Sequence, residues 1–272
     1  MNWNIARLSI PVFDLEKSSQ FYNFLLNDKE FNNNTRAGET EYFLSGGNIE
    51  LKLYQLTNNL KVPLEHQSRR TFPSLFINNL SLIIENLKKN KVNFIIKKYN
   101  ENDAINSVIL QDSSLNYIEL VDLIHKLDKS NNKRDLLWNF HHVNLECYDV
   151  RSSVDFIAKN LNIKEGTWKA PIELGKVNIA SNQLAIFPLD DNHSGVHINK
   201  ADFTFSWRNK FIHNPTIGGH PAFSVKNIKA FIKKLKKANI PFTDAKVYAM
   251  PNIHQIYLFD PNANIVEINQ NV

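Results

Sequence analysis

The 272-residue chain has a single cysteine, no apolar run of about 18 residues, and no basic segment leading into an apolar stretch at Met1-Asn-Trp-Asn-Ile-Ala-Arg7. Lone Cys147 excludes an internal disulfide, which fits a reducing compartment, and its place in an apolar strand points to packing rather than reactivity. Without a span or a leader the chain reads as cytoplasmic, with no membrane partner. The basic stretch Lys226 to Lys237 lacks the arginines and exposed aromatics that base stacking favours. It reads instead as an amphipathic helix with Ile228, Phe231, Ile232 and Leu235 on one stripe and lysines facing water. The net charge of +5 at pH 7 therefore implies no nucleic-acid partner, and it is compatible with acidic small-molecule substrates.

What is present is an internal repeat. An offset of 135 (142 minus 7) sets Arg7-Leu-Ser-Ile-Pro-Val-Phe-Asp14 on His142-Val-Asn-Leu-Glu-Cys-Tyr-Asp149 and carries Ser18 to Ser153 and Phe21 to Phe156. An offset of 148 (235 minus 87) sets Leu87 to Val92 on Leu235 to Ile240, and Asp112 to Glu119 on Asp260 to Glu267. Offsets that hold without gaps across strands and helices indicate duplication. With 43% hydrophobic and 22% charged residues, the chain is large enough for two compact domains.

Periodicity and caps give each half two similar modules. The first has a strand over Ile5 to Val12, helix Leu15 to Leu26 capped by Asp14, and strands near Glu41 to Leu44 and Asn48 to Tyr54. The second, Ser74 to Asp122, has helix Leu80 to Lys89 and strands near Val92 to Lys98, Asn106 to Leu110 and Asn116 to Val121. The third starts at Phe140, with helix Val150 to Leu161 and a closing strand Gln183 to Phe187. The fourth starts at Pro221, with helix Ile228 to Lys237 and strands near Asp244 to Ala249, Gln255 to Phe259 and Ile265 to Asn269. Polar residues 126–138 form the expected linker between domains 1–125 and 139–272.

Residues two apart on a strand share a face. His142, Asn144 and Glu146 therefore face one way and Val143, Leu145 and Cys147 the other; His220, Ala222 and Ser224 likewise oppose Pro221, Phe223 and Val225. His141 is expected to point away from His142.

The pattern resembles the vicinal oxygen chelate superfamily, which includes glyoxalase I, fosfomycin- and bleomycin-resistance proteins and type I extradiol dioxygenases. The resemblance rests on His142-Val-Asn-Leu-Glu-Cys-Tyr-Asp-Val150 with Ser153 and Phe156, on His220-Pro-Ala-Phe-Ser-Val225, and on Asp260-Pro-Asn-Ala-Asn-Ile-Val-Glu267. It implies an α+β fold of tandem βαβββ modules, whose sheets curl into two half-open barrels with helices outside. The implied metal positions hold His142, Ala185, His220 and Glu267 in the C-terminal half, but Arg7, Glu50, Phe72 and Glu119 in the N-terminal half. Two imidazoles and a carboxylate, with Ala185 giving no fourth ligand, form a facial triad that favours Fe(II) and also accepts Mn, Zn or Ni. The N-terminal site is expected to be metal-free, with the Arg7 guanidinium pairing with Glu50 and Glu119 in place of a cation.

A vacant N-terminal domain beside a His-His-Glu domain resembles the extradiol dioxygenases most, which implies a catechol-like substrate chelated through adjacent oxygens and cleavage of the ring beside the diol. Tyr257 matches that family's active-site tyrosine. The sequence departs from the pattern where Tyr248-Ala-Met250 and Phe205 stand in place of accessory histidines, and where Ala263 replaces a glycine. His213, His254 and Glu146 are the candidate acid-base replacements, and Asn144 and Arg208 the candidate substrate-binding residues. The rival readings are a glyoxalase-type isomerase or lyase with Glu146 as base, and a non-catalytic binder of the bleomycin-resistance kind. The module starts are 78 residues apart in the C-terminal half (220 minus 142) and 65 in the N-terminal half (72 minus 7), so 13 extra residues are expected between Phe187 and Gly218 as a lid over the site. Either a monomer or a homo-oligomer fits four modules in one chain.

Overall fold

The computed structural model describes residues 3–26, 41–46, 49–56, 63–97, 107–122, 138–167 and 183–272. The N-terminal half contains β1 (Trp3–Val12), α1 (Leu15–Leu26), β2 (Glu41–Gly46), β3 (Ile49–Gln55), β4 (Phe72–Ile77), α2 (Leu80–Lys89), β5 (Phe94–Lys97), β6 (Ser107–Gln111) and β7 (Tyr117–Asp122). The C-terminal half contains β8 (Trp138–Cys147), α3 (Val150–Leu161), β9 (Leu184–Pro188), β10 (Gly195–Lys200), the short helix α4 (Phe205–Asn209), β11 (His220–Val225), α5 (Ile228–Lys237), β12 (Phe242–Val247), β13 (Ile253–Phe259) and β14 (Ile265–Asn271).

The four module helices start where the sequence places them because an Asp or Asn side chain satisfies a first-turn N–H in each. Asp14 accepts from Lys17 N at 3.0 Å, Asn79 from Leu82 N at 3.3 Å, Asp149 from Ser152 N at 2.7 Å and Asn227 from Ala230 N at 2.9 Å. None of the described helices is long and apolar enough to cross a membrane.

The strands form two mixed seven-stranded sheets, ordered β2-β3-β1-β4-β7-β6-β5 and β12-β13-β14-β11-β8-β10-β9. In each, the first strands of the two modules pair antiparallel at the centre, and the second module's last strand lies parallel to its first. One face of each sheet packs under helices: Val143, Leu145 and Cys147 share a core with Val154, Ile157 and Leu161 of α3. The other face carries the polar interior residues.

The halves interlock by repeat-related contacts. Asp112 gathers the N–H groups of Ser114 and Asn116 at 2.8 and 2.9 Å, and Asp260 gathers those of Asn262 and Asn264 at the same two distances. Each turn then docks on a helix of the opposite half, Ser114 Oγ lying 3.2 Å from Ser153 Oγ and Asn262 donating to Ser18 Oγ at 2.8 Å.

Three expectations are corrected. Residues 126–137 of the expected linker lie outside the described residues, but Trp138 is already strand and is buried at the start of β8. Gln183 to Phe187 is not the closing strand of the third module, because β9 turns back into β10, which completes it alongside β8. The 13 extra residues are therefore not one loop. The offset is already 145 at β10 (195 minus 50, from the partners of His142 and Arg7), so 10 of the 13 enter before β10 and 3 after it.

Candidate metal centre

The central strands bring the triad together. On β8 the partners run Val143 to Pro221, His142 to Ala222 and Phe140 to Phe223, skipping His141, and this bulge sends His141 and His142 to the same face. The expectation that His141 points away fails for that reason: strict alternation does not survive an inserted residue. His141 Nδ1 lies 2.8 Å from His142 Nδ1. Beyond the bulge His220 pairs with Asn144, and β11 runs parallel to β14 with Ala222 beside Glu267.

Glu267 Oε2 lies 3.6 Å from His142 Nε2 and 3.5 Å from His220 Nε2, and all three side chains are buried. The donor atoms lie within 4.8 Å of one another. Donors about 2.1 Å from a shared tetrahedral centre stand roughly 3.4 Å apart, so the spacing accommodates a divalent ion. Neither ring nitrogen of His220 has a hydrogen-bond partner, although both are buried. A buried imidazole without a protein hydrogen-bond partner, facing a carboxylate, is a donor set that fits a divalent ion. Glu267 Oε1 is already taken, accepting from Gln255 Nε2 and Asn269 Nδ2 at 2.9 Å each, so Oε2 is the oxygen left to the ion.

Burial, followed by the neighbouring imidazoles of His197, His141 and His220, holds His142 well below the usual imidazole range. Burial pushes Glu267 up, but His220 with the Asn269 and Gln255 hydrogen bonds outweighs it and the carboxyl ends below its usual range. A neutral imidazole and an ionised carboxylate are the forms that ligate a metal.

Ala185 is not the fourth position. It faces the core side of β9, and the strand in register with His142 is β10, with Gly195 where the N-terminal half has Glu50. Gly195 has φ +132°, and a Cβ there would meet Phe187 O at 2.3 Å. A fourth ligand is thus excluded at that position by the backbone. Two residues along β10, His197 lies on the interior face, its ring 3.9 Å from that of His142 and 12° from parallel. Its Nε2 lies 2.7 Å from His193 O, and burial pulls its pKa down to about 3. Sequence reasoning missed His197 by treating the segment as a loop; the alternation of Val196 and Ile198 with His197 and Asn199 is a strand signal.

A cavity of about 30 Å3 adjoins the triad, room for a group little larger than water. Asn144 and Tyr257 line it as expected. Asn144 Oδ1 is buried without a partner, and Tyr257 Oη accepts from Gln255 Nε2 at 3.1 Å and shares a short hydrogen bond with Tyr248 Oη. Burial raises the pKa of both phenols, so they stay protonated. Phe205, Pro215 and Thr216 of the segment before β11 also line the cavity, together with Tyr248, Ala249 and Met250.

The other four candidates do not reach it. Glu146 is held by Arg70 at 3.1 Å and by the N–H of Gly218, which ties the two halves together. His213 packs on Phe259 with Nδ1 2.9 Å from Thr243 Oγ1. His254 Nε2 lies 2.7 Å from Asp244 Oδ1, on the face of β13 opposite Gln255 and Tyr257. Arg208 is bound by Asp202 at 2.6 Å and Thr204 at 2.7 Å. Each has a local partner that accounts for its position.

In the N-terminal half Arg7 Nε lies 2.8 Å from Glu50 Oε2 and its Nη1 3.7 Å from Glu119 Oε2. Burial raises Glu119, yet Arg7 and a Ser74 hydrogen bond bring it below its usual range. Phe72 occupies the place of His220, so the guanidinium sits among carboxylates where the other half has its triad.

Architecture of this kind extends over the whole chain in known proteins. A catechol 2,3-dioxygenase is similar with a TM-score of 0.66 and 12% identity, over 98% of this chain and 87% of that one. The 2,3-dioxygenase LapB from Pseudomonas sp. KL28 gives 0.68 and 11%, over 98% and 91%. The chain has the vicinal oxygen chelate fold. A Mn(II)-bound glyoxalase from Novosphingobium aromaticivorans shares the fold with a TM-score of 0.61 and 11% identity, over 99% and 82%. No family model and no curated protein matches the sequence. At such identity the likeness is one of vicinal oxygen chelate architecture alone.

Proposed function

We propose that this protein is a metal-dependent enzyme that holds a small substrate through adjacent oxygens at His142, His220 and Glu267, and that it is a ring-cleaving dioxygenase. The observation that carries the metal is the orphaned, buried His220 imidazole 3.5 Å from the free oxygen of Glu267. A divalent ion, iron(II) before manganese, zinc or nickel, would supply Lewis acidity and open coordination positions. The dioxygenases of the same fold support ring cleavage. We assign the N-terminal domain as a metal-free scaffold, closed by the Arg7 ion pairs.

The chain's own residues supply orientation and dryness. Asn144 Oδ1 is an acceptor aimed into the cavity without a partner, and it positions a substrate hydroxyl. Tyr257 and Tyr248 both stay protonated beside Glu267 and share one hydrogen bond, so the hydroxyl hydrogen not used in that bond can be donated to a substrate oxygen. Phe205, Met250 and Pro215 exclude water. A cavity of about 30 Å3 does not hold an aromatic diol, so admission requires the 201–219 segment or the 248–250 turn to move. The glyoxalase-type reading loses its base, because Glu146 is held by Arg70 and Gly218.

Anaerobic loading with Fe(II) followed by oxygen uptake with a panel of catechols tests the reaction, and silence with every diol sinks it. Metal analysis of folded His142→Ala, His220→Ala and Glu267→Gln tests the site, and unchanged metal content in all three would remove it.

A further inference from the structure

The segment that covers the metal centre is fastened from the other half of the molecule. Residues 201–219 are tied into one piece, because Asp202 N donates to Thr216 Oγ1 at 3.0 Å and Asn214 Nδ2 donates to Asp202 O at 2.9 Å. Phe205, Pro215 and Thr216 of this piece line the cavity beside His142 and Glu267. Both of its ends are carried by the last residues of β8: Ala201 N donates to Cys147 O at 3.1 Å, and Gly218 N donates to the Glu146 carboxylate. Between them Ile212 N and His213 N rest on Thr243 Oγ1 at 3.0 and 3.2 Å.

The two glycines at the exit differ. Gly219, at φ +70°, runs so close to Asn144 that a Cβ would lie 2.6 Å from its carbonyl oxygen, whereas Gly218, at φ +81°, has open space where a Cβ would be. Gly218 is therefore where the chain turns with least resistance, and its N–H is the group that Glu146 holds. Glu146 is held in turn by Arg70 Nη2 at 3.1 Å. Arg70 is set by the N-terminal half, where its Nη1 donates to Ser114 O at 2.9 Å and to Asn116 Oδ1 at 3.2 Å.

The repeat separates this fastening from ordinary domain docking. Asn116 Nδ2 donates to Glu146 O at 2.8 Å, and its counterpart Asn264 Nδ2 (264 minus 116 is 148) donates to Pro11 O at 2.7 Å. The tie to the backbone is thus present in both directions. Among the described residues the side-chain link is present once, because Glu146 stands where the N-terminal half has Pro11 (146 minus 11 is 135). Arg70 and Gly218 are themselves repeat equivalents (218 minus 70 is 148), brought to the same carboxylate. The charge-assisted link therefore belongs to the half that holds the triad.

We infer that Arg70, Glu146 and Gly218 form a latch on the 201–219 segment, through which the N-terminal half sets how often the metal centre opens. What the latch guards rests on the metal reading above. Arg70 and Glu146 are positioning residues, acting through the Gly218 amide. With Arg70 in place the carboxylate is aimed at Gly218; without it, a side chain 17% exposed can turn to water. The Gly218 peptide then rotates and withdraws Pro215 and Thr216 from the cavity.

Amide hydrogen exchange of the full chain, read by mass spectrometry, tests the latch without any ion. In Glu146→Ala and in Arg70→Met, exchange over residues 211–219 should rise at least about tenfold, the low end for a hydrogen bond to a charged group, while β11 and β14 exchange as in the parent. Glu146→Gln, which keeps a weaker acceptor, should fall between. The double variant should exchange no faster than Glu146→Ala alone, because Arg70 acts through Glu146. Loaded with zinc, the variants should bind one ion yet release it to excess chelator about tenfold faster, in step with the exchange. If Glu146→Ala does not fold, Arg70→Met, a change at a side chain one-third exposed, decides alone. The latch is overturned if residues 211–219 exchange at the parent rate, if exchange rises alike over the whole chain, if the two effects add, or if zinc leaves at the parent rate. Zinc that fails to bind to the parent overturns the metal centre instead, and the exchange measurement then decides the latch by itself.

Discussion

His197 lies flat against His142, the ring centroids 3.9 Å apart and the planes 12° from parallel, and its Nε2 is fixed 2.7 Å from the carbonyl of His193. The stack restrains the plane of the His142 ring, whose Nε2 lies toward Glu267 and whose Nδ1 lies toward His141. Removing that wall in His197→Ala should weaken metal about tenfold, the low end for outer residues of metal sites. His197→Phe, which keeps a flat ring, should recover most of it. Chelator competition on the three proteins checks this, and equal affinities in all of them would show that the stack does not hold the ligand.

Arg7 is expected to be structural. Its guanidinium is the partner of Glu50 and Glu119, both buried, so Arg7→Met strands two carboxylates. A loss of about 3 kcal/mol in denaturant unfolding is expected, with zinc stoichiometry unchanged. Adding Glu50→Gln and Glu119→Gln to Arg7→Met should restore part of it. A stable Arg7→Met single variant would contradict the pairing.

Acid should expose the buried histidine within the 201–219 segment. Burial lowers His213 from 6.5 to about 4, so between those values the unfolded chain holds a proton that the folded chain refuses. Stability is therefore complete above pH 6.5 and falls as pH drops toward 4, by about 3 kcal/mol from this group. In His213→Gln the dependence of unfolding free energy on pH across that window should be shallower by about one proton. An unchanged slope would assign the acid sensitivity elsewhere.

Ala263 pays a conformational penalty that glycine avoids. Its φ is 63° in the turn that docks on Ser18, and Leu115 at φ 65° is its repeat equivalent. Left-handed backbone disfavours a Cβ, so Ala263→Gly should stabilise the protein by about 1 kcal/mol. A lower denaturation midpoint in that variant would mean that the flexibility gained by the unfolded chain dominates.

The four module helices and the triad were legible because their signals are local or repeated: an Asx cap before a 3.6-residue stripe, and His142, His220 and Glu267 at equivalent offsets. Two things were not. The bulge that swings His141 inward depends on how β8 meets β11, which alternation along one strand does not encode. β10 was hidden because its offset differs from those of its neighbours, and with it went His197 and the true counterpart of Glu50. Glu146, His213, His254 and Arg208 were chosen by residue type, whereas their partners Arg70, Thr243, Asp244 and Asp202 are set by tertiary contacts or by a loop.

Gly195 limits how this protein can change. Where the N-terminal half has a side chain facing the first strand, the C-terminal half has a position at which any side chain would collide with the Phe187 carbonyl at 2.3 Å. No single substitution at that residue can convert a three-donor site into a four-donor one, because the β9–β10 hairpin would have to be rebuilt first. Descendants of this sequence can vary the lining of the site far more easily than the number of donor groups gathered around Glu267.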